Sequence, residues 1–225
     1  MSSKRFRAAQ QLVDVNKTYS AEEAVALLKQ TSTTKFDASV EVHIHLGIDP
    51  SKADQLVRAT AQLPHGTGKK LRIAVFAKGA MAKAAQEAGA DLVGDTDMIA
   101  EIKKTSKLDF DIAIAAPDMM KELAPIAKIL GTKGMMPNPK NDTVTPDPAV
   151  AVKALQSGKI AFRNDTTGNV HQIIGKVSFS PEQLQANLET FIDAVKKVKP
   201  SEAKGTYIQS VTLTSSMGPG IKVTA

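Results

Sequence analysis

The clearest pattern in the chain is an alternation of apolar and polar residues between Ser39 and Leu46. Every second position is aliphatic, and the positions between them carry a hydroxyl, a carboxylate and two imidazoles. This pattern predicts a β-strand with one buried face and one solvated face. A second such segment, Ser210–Ser216, has Val211 and Leu213 as its apolar positions. We predict that the two strands share one sheet and that their polar faces and end loops form one binding surface; the alternative is that each face is merely solvated.

The pattern changes in the middle of the chain. Leu71–Ala77 is an almost continuous apolar run, which is typical of a strand buried on both faces. Short apolar strands at 91–93 and 111–115 then alternate with helices, one of them beginning near Asp118, and this order predicts a parallel α/β unit. After Gly158 the alternating style returns, with strands 159–163 and 170–179 predicted as a hairpin before a long helix.

The predicted fold class is therefore mixed, with α/β and α+β parts in two domains. Residues 1–66 and 159–225 form an outer, discontinuous α+β domain of split β-α-β-like type, and residues 67–158 form an inserted Rossmann-like three-layer α/β domain. Glycines mark both crossings, Gly66 and Gly68 at the first and Gly158 at the second. Two adjacent glycine-containing links predict a hinge.

Helix starts are marked by short-range capping signals. The capping box is matched twice, by Ser20 with Glu23 and by Ser180 with Gln183. In this motif the serine side chain accepts from the backbone N–H three residues later, and the side chain of that later residue accepts from the serine N–H. Asp147 before a proline predicts a third helix start.

Composition narrows the class of protein and of partner. With 42% hydrophobic residues the chain can build full cores, and it has neither a long apolar run nor a leader-like apolar segment, so we expect a cytoplasmic protein that does not enter membranes. The absence of cysteine excludes disulfides and thiolate chemistry. A net charge of +6 favours a polyanionic partner. Because aromatics make up only 4% of the chain, folded RNA is favoured over single strands stacked on aromatic rings.

Candidate catalytic and cofactor motifs are weak. His43 and His45 share a strand face, but only Glu41 offers a third ligand nearby, so we predict no metal site. The GTGK segment at Gly66 lacks the spacing of a phosphate loop, and no dinucleotide-binding glycine pattern follows Leu71–Ala77. We therefore predict no cofactor, no catalytic residue and no enzymatic activity. The alternative is an α/β enzyme acting on a nucleotide or phosphosugar.

One loop, Leu130–Lys140, reads LGTKGMMPNPK and encloses two methionines between glycines and prolines. The pattern predicts a rigid surface loop with exposed methionines that presents a contact. This stretch resembles the signature LGPRGLMPNPK of the large-subunit ribosomal protein one family. The segments KFDASVEVHIHLGID, LPHGTGK, FRNDTTGNVH and TSSMGP resemble further family motifs in the same order.

The resemblance implies a two-domain ribosomal protein that binds the 23S-type rRNA stalk as part of the large ribosomal subunit, near the tRNA exit site. It also implies that the protein helps to release deacylated tRNA from the exit site. By binding the mRNA of its own operon, the protein would repress translation of that mRNA. The RNA contacts that the resemblance implies are Lys35, Phe36, Ser39, Glu41, Arg163, Asp165, Thr166, Ser210, Ser216, Met217 and Gly218. Ser39 and Ser216 stand where the family has Thr, and Thr132-Lys133 replaces Pro-Arg.

Overall fold

The computed structural model describes residues 3–224. The chain forms two compact units: the outer unit runs up to Lys69 and resumes at Gly158, and the inserted unit spans Lys70–Ser157. The inserted unit thus begins at residue 70 rather than 67 and ends at 157 rather than 158.

The elements follow in the order α1 (Lys4–Gln11), α2 (Ala21–Thr31), β1 (Ser39–Leu46), β2 (Arg58–Gln62), β3 (Ile73–Phe76), α3 (Gly79–Glu87), β4 (Leu92–Gly94), α4 (Thr96–Thr105), β5 (Ile112–Ala115), α5 (Ala127–Thr132), α6 (Pro148–Gln156), β6 (Lys159–Arg163), β7 (Asn169–Lys176), α7 (Pro181–Lys197), β8 (Ile208–Ser215) and β9 (Ile221–Val223). Single turns of 3-10 helix occupy Ala53–Gln55, Pro117–Met120, Ala124–Ile126 and Pro139–Asn141. The mixed α/β and α+β fold class predicted from the sequence is confirmed.

The main sheet of the outer unit has the strand order β7-β1-β8-β9. Strand β1 pairs antiparallel with β7 on one side and with β8 on the other, so the two alternating segments share one sheet as predicted. The apolar side chains of β1 are fully buried and form one core with residues of α2 and α7, among them Leu28 and Phe191. Both predicted capping boxes are present, at Ser20 and at Ser180. One sheet face is therefore covered by helices.

Strands β2 and β6 form a separate two-stranded antiparallel sheet, which we call the ribbon. The predicted hairpin between residues 159–163 and 170–179 is therefore wrong, since a single bridge between Asn164 and Val170 joins these segments. Asn164 explains the divergence. Its backbone N–H donates to the Val57 carbonyl oxygen at 3.0 Å, and its side-chain oxygen accepts from the Val57 N–H at 2.8 Å. These two bonds tie the end of β6 to the start of β2.

The inserted unit contains a parallel sheet in the order β4-β3-β5. All four residues of β3 are buried, as expected for a strand covered on both faces. The helix predicted to begin near Asp118 is wrong: 3-10 turns at Pro117–Met120 and Ala124–Ile126 precede α5. Pro125 accounts for this, because proline lacks the N–H that a continuous helix would need there. Asp147 precedes α6 as predicted, but its side chain makes no capping bond.

The loop after α5 also differs from its prediction. Gly134 adopts a φ of +70°, and the Met135 N–H donates to the Leu130 carbonyl oxygen at 2.9 Å, which folds the chain back over the helix. Met135 and Met136 consequently pack against the core of the inserted unit. The expectation of two exposed methionines is wrong, whereas Lys133 and Lys140 are exposed.

Candidate nucleic-acid interface

The face of the main sheet opposite the helices is polar, and we call it the polar face. The cross-strand registers place its residues in three rows: Thr214–Glu41–Ile173, Thr212–His43–His171 and Ser210–His45–Asn169. Because side chains alternate along a strand, the members of these rows project from the same side of the sheet. The rows span Glu41 to His45 of β1, four steps along the strand or about 13 Å.

One corner of the polar face joins the start of β1 to the end of β8. The Ser216 N–H donates to the Ser39 carbonyl oxygen at 2.9 Å, and the Ser39 N–H donates to the Ser216 hydroxyl oxygen at 3.2 Å. Lys176 of β7 lies opposite Ser39 of β1, and its ammonium group donates to the Ser39 hydroxyl oxygen at 2.8 Å. Two hydroxyls and one cation thus meet in this corner.

The loop that follows Ser216 projects a methionine from this corner. Met217 has a φ of +63°, and its side chain is 71% exposed. The Gly218 N–H donates to the Ser215 carbonyl oxygen at 2.8 Å, and a Cβ on Gly218 would lie 2.4 Å from the Ser215 hydroxyl oxygen. The Thr214 hydroxyl lies 3.3 and 3.2 Å from the carbonyl oxygens of Gly218 and Pro219. The loop is therefore tightly held, and Met217 is not a core residue.

An exposed aromatic side chain lies at the entrance to β1. Phe36 is 57% exposed, and Lys35 beside it is exposed as well. The next residue, Asp37, anchors the segment, since its carboxylate accepts from the Ser178 N–H at 3.1 Å and from the Ser178 hydroxyl at 2.9 Å. Phe36 and Met217 thus flank the Ser39–Ser216 corner on fixed backbone.

The turn between β6 and β7 is organised by the carboxylate of Asp165. This carboxylate accepts from the backbone N–H groups of Asn169 and Thr167, both at 2.8 Å, and from the Thr167 hydroxyl at 2.9 Å. These bonds, that from Asn169 foremost, hold the pKa of Asp165 well below its usual range. The carboxylate therefore stays ionised and shapes the turn, leaving Thr166 and Arg163 exposed.

A pair of histidines occupies the centre of the polar face. The Nδ1 atoms of His43 and His171 lie 2.8 Å apart, and His171 Nε2 lies 3.3 Å from the Asp165 carboxylate. Partial burial, and next the nearby His171, lower the pKa of His43, although Glu41 partly opposes this. A hydrogen bond between two imidazoles requires one nitrogen to accept, so this contact favours at least one neutral ring.

Comparison with known proteins decides the family. Residues 28–219 match the family described as Ribosomal protein L1p/L10e. The chain belongs to this family. It is similar to the large ribosomal subunit protein uL1 of Chloroflexus aurantiacus, at 53% identity over 98% of this chain and 94% of that protein. The uL1 proteins of Thermobifida fusca and Chloroflexus aggregans are 53% and 52% identical over the same shares of each chain. The family resemblance stated from the motifs is thereby confirmed.

The structure places the residues implied by the family motifs in two clusters and one outlying position. The first cluster lies at and beside the Ser39–Ser216 corner and contains Lys35, Phe36, Ser39, Glu41, Ser216, Met217 and Gly218. Arg163, Asp165 and Thr166 lie at the β6–β7 turn, which the His171–His43 contact joins to the centre of the polar face. Ser210 is exposed opposite His45, at the far end of β8.

Two residues of the polar face were not predicted from the sequence. Lys176 and His171 lie on β7, whose pairing with β1 is a long-range event. The alternation within 170–179 was visible, but a β-bulge between Val40 and Glu41 shifts the register and decides which β7 residues face the corner. No signal inside β7 alone could have identified Lys176 as the partner of Ser39.

The glycines at the crossings share an unusual backbone geometry. Gly66, Gly68 and Gly158 have φ values of +62°, +70° and +99°. A Cβ on Gly158 would lie 2.7 Å from the Gly66 Cα and 2.7 Å from the Leu63 carbonyl oxygen. Close approach of two chain segments therefore requires glycine here, and the hinge role stays a prediction.

Among residues 3–224 no group of three or more His, Asp or Glu side chains is arranged to hold a metal ion. None of the helices in that range combines the length and the apolar character needed to cross a bilayer.

Proposed function

We propose that this protein is a non-enzymatic constituent of the large ribosomal subunit in the cytoplasm, and that its outer unit binds the 23S-type rRNA stalk. The observation that carries the proposal is the pair of exposed apolar residues, Phe36 and Met217, which lie three residues before Ser39 and directly after Ser216, the two residues of the corner. Large exposed apolar groups beside polar hydroxyls are typical of a binding surface, and the family is ribosomal.

The chemistry of the corner suits folded RNA. The hydroxyls of Ser39 and Ser216 can bond a ribose 2′-hydroxyl, a group that DNA lacks. Gly218 lets the RNA backbone come close, and the polarizable Met217 side chain can lie against a base or ribose. Lys35 and Lys176 supply cations for phosphates, and the Glu41 carboxylate can accept from a base amino group.

The turn cluster extends this surface. We propose that Arg163 and Thr166 contact RNA directly and that Asp165 acts mainly by holding the turn, since its carboxylate is occupied by four donors of that turn and by His171. Ser210 would contact RNA at the far end of the polar face.

The same surface supports the finer roles that the family resemblance implies. An mRNA from the protein's own operon that folds like the rRNA site would compete for the polar face, so the protein would act as a translational repressor. Placement on the stalk near the exit site would let it contact exit-site tRNA and assist release of the deacylated molecule. Both roles rest on RNA binding by the outer unit.

Binding of the full-length protein to a 23S-type stalk fragment tests this proposal. Phe36→Ala should weaken binding about tenfold, since complete burial of a phenyl side chain contributes about 1.5–3 kcal/mol and the 57% that is exposed in the free protein accounts for about 1–2 kcal/mol of that. Val150→Ala is the matched control, because Val150 is 66% exposed but lies in the inserted unit. The proposal would be contradicted if the wild type bound an unrelated RNA hairpin as tightly as the stalk fragment. It would also be contradicted if Phe36→Ala bound the stalk fragment as tightly as the wild type.

A second experiment tests whether the outer unit suffices. Replacing residues 70–157 with a short Gly-Ser linker should keep most of the RNA affinity, because every proposed contact lies outside that range. Circular dichroism should first show that the shortened protein is folded. A loss of more than about a hundredfold, or about 2.7 kcal/mol, in a folded protein would place the site elsewhere.

A further inference from the structure

The N-terminal helix α1 reaches the Ser39–Ser216 corner through Arg5. The Arg5 guanidinium group donates from Nη2 to the Met217 carbonyl oxygen at 3.4 Å, although the two residues are 212 positions apart in the sequence. Arg5 is exposed, and the Met217 side chain is 71% exposed. This contact therefore places a cation beside the exposed methionine of the corner.

The contact with Met217 occupies little of the bonding capacity of Arg5. A guanidinium group carries several N–H donors in one plane and stays charged throughout the physiological pH range. Within the described part of the chain Arg5 forms no ion pair with a carboxylate, and its acceptor at Met217 is a neutral carbonyl group. Most of its donors, and its charge, are therefore available to an anion.

The charge of Arg5 does not stabilise the helix that carries it. Helix α1 begins at Lys4, after an N-cap at Ser3 whose hydroxyl oxygen accepts from the Phe6 N–H at 3.3 Å. Its first turn contains Lys4 and Arg5 and no acidic residue. Because the N-terminal end of a helix carries a partial positive charge, cations are unfavourable there. An anion bound at Arg5 would compensate both the side-chain charge and the helix dipole.

The corner has a second cation on its other side. In the sheet order β7-β1-β8, the ammonium group of Lys176 on β7 is bonded to the Ser39 hydroxyl oxygen on β1, whereas Met217 follows the end of β8. Neighbouring strands are about 4.8 Å apart, so the segments that carry Lys176 and Met217 are separated by about 10 Å. An RNA strand that crosses the hydroxyls of Ser39 and Ser216 would therefore meet a cation on each side.

We propose that Arg5 binds a phosphate of the RNA backbone beside Met217, so that α1 forms part of the RNA-binding surface. The Met217 carbonyl oxygen orients the guanidinium group, whose remaining N–H groups can form a two-pronged contact with the phosphate oxygens. This contact reads no base, so it fixes the path of the RNA rather than its sequence. The inference rests on the proposed function and adds to it a residue outside the sheet.

The test compares Arg5→Gln and Arg5→Lys with Arg72→Gln in the full-length protein. Arg72 lies in the inserted unit, where it pairs with Asp111 at 3.7 Å, so Arg72→Gln removes the same charge outside the outer unit. Affinity for the 23S-type stalk fragment is measured between about 50 and 200 mM salt. Arg5→Gln is also made in the Met217→Gly protein, which lacks the methionine side chain but keeps the carbonyl group that Arg5 contacts. Urea unfolding of the RNA-free proteins is followed in parallel.

Arg5→Gln should weaken binding about tenfold at the lower salt, and the slope of log affinity against log salt should become shallower by about 0.7–0.9. Arg5→Lys should keep the slope but lose part of the affinity, because lysine retains the charge without the planar fork. Arg72→Gln should leave the slope unchanged. In the Met217→Gly protein, Arg5→Gln should weaken binding by the same factor, because a phosphate contact does not need the methionine side chain. The unfolding midpoint of Arg5→Gln should not fall, because an unfavourable cation has been removed from the helix N-terminus.

An unchanged salt slope for Arg5→Gln, with normal wild-type binding, would overturn the phosphate contact and leave the proposed function intact. A lowered unfolding midpoint together with an unchanged slope would assign Arg5 to the fold and also overturn it. If Arg5→Gln weakened binding in the wild-type background but not in the Met217→Gly protein, Arg5 would only position the methionine side chain, and the phosphate contact would again be overturned. Failure of the wild-type protein to bind the stalk fragment would overturn the phosphate contact and the proposed function together.

Discussion

Replacing Met217 with glycine should make the free protein no less stable and the RNA complex weaker. The prediction follows from two properties of this residue, its φ of +63° and its 71% exposed side chain. A left-handed conformation costs a non-glycine residue about 1–2 kcal/mol, and glycine avoids that cost. Glycine loses about 0.4–1 kcal/mol through the greater freedom of the unfolded chain. The two effects leave a free energy of unfolding that is equal or slightly higher.

The effect on RNA binding has the opposite sign. Complete burial of a methionine side chain contributes about 1.5–3 kcal/mol. Because 71% of the Met217 side chain is exposed in the free protein, covering it with RNA would contribute about 1–2 kcal/mol. Loss of the side chain should therefore weaken binding roughly 5- to 30-fold.

The assay pairs urea unfolding, followed by circular dichroism because the chain has no Trp, with equilibrium binding to the stalk fragment. Met81→Gly is the matched control, since Met81 is 40% exposed on α3 in the inserted unit. Glycine within a helix costs about 1 kcal/mol, so this control should lower stability and leave RNA affinity unchanged. Met217→Leu should keep most of the affinity.

Two results would refute the reasoning. Wild-type RNA affinity in Met217→Gly would show that the side chain does not contact RNA. A fall in its unfolding midpoint as large as that of Met81→Gly would show that the loop gains nothing from relief of a left-handed residue.

Three further predictions concern stability and pH. Gly158→Ala should lower the free energy of unfolding by about 1–3 kcal/mol more than Gly205→Ala, which also has positive φ but an open Cβ position; equal urea midpoints would contradict this. Tyr207→Phe should raise the free energy of unfolding by about 1 kcal/mol, because the Tyr207 hydroxyl is buried without a hydrogen-bond partner in the described structure. Burial raises the pKa of Tyr207 from 10.0 to about 12, because the ionised phenol is disfavoured in the folded state, so the wild type should lose stability relative to Tyr207→Phe as the pH rises from 10.0 to about 12; a wild-type unfolding curve as flat as that of Tyr207→Phe there would contradict it. The pKa of His43 is lowered, so its contribution to folding is present above pH 6.5 and is lost as the pH falls through the pKa of the folded state. Bound RNA should raise the pKa of His43, because the phosphates favour the charged imidazole. RNA affinity should therefore increase from pH 7 to about pH 5 in the wild type and less in His43→Gln, which NMR titration and binding measurements can check.

Elements with a local signal were predicted from the sequence. The alternation of β1 and β8 marks their faces because a strand repeats every two residues, and the capping boxes at Ser20 and Ser180 involve partners only three residues apart. The buried run that contains β3 was equally visible. The motif around Ser216–Gly218 also identified the family, although the exposure of Met217 did not follow from it.

Apart from the shared sheet of β1 and β8, which was predicted, the tertiary structure alone decided which segments meet. Strand β6 had two available partners, and the bonds of Asn164 to Val57 turned it toward β2 rather than β7. The same choice set Arg58 opposite Arg163, and the bulge in β7, where Ile174 has no opposite residue on β1, set Lys176 beside Ser39. Backbone pairing of this kind depends on the path of the whole chain, because N–H and C=O groups are alike at every residue. Side-chain periodicity therefore predicted the faces of the strands, and long-range packing determined most of their neighbours.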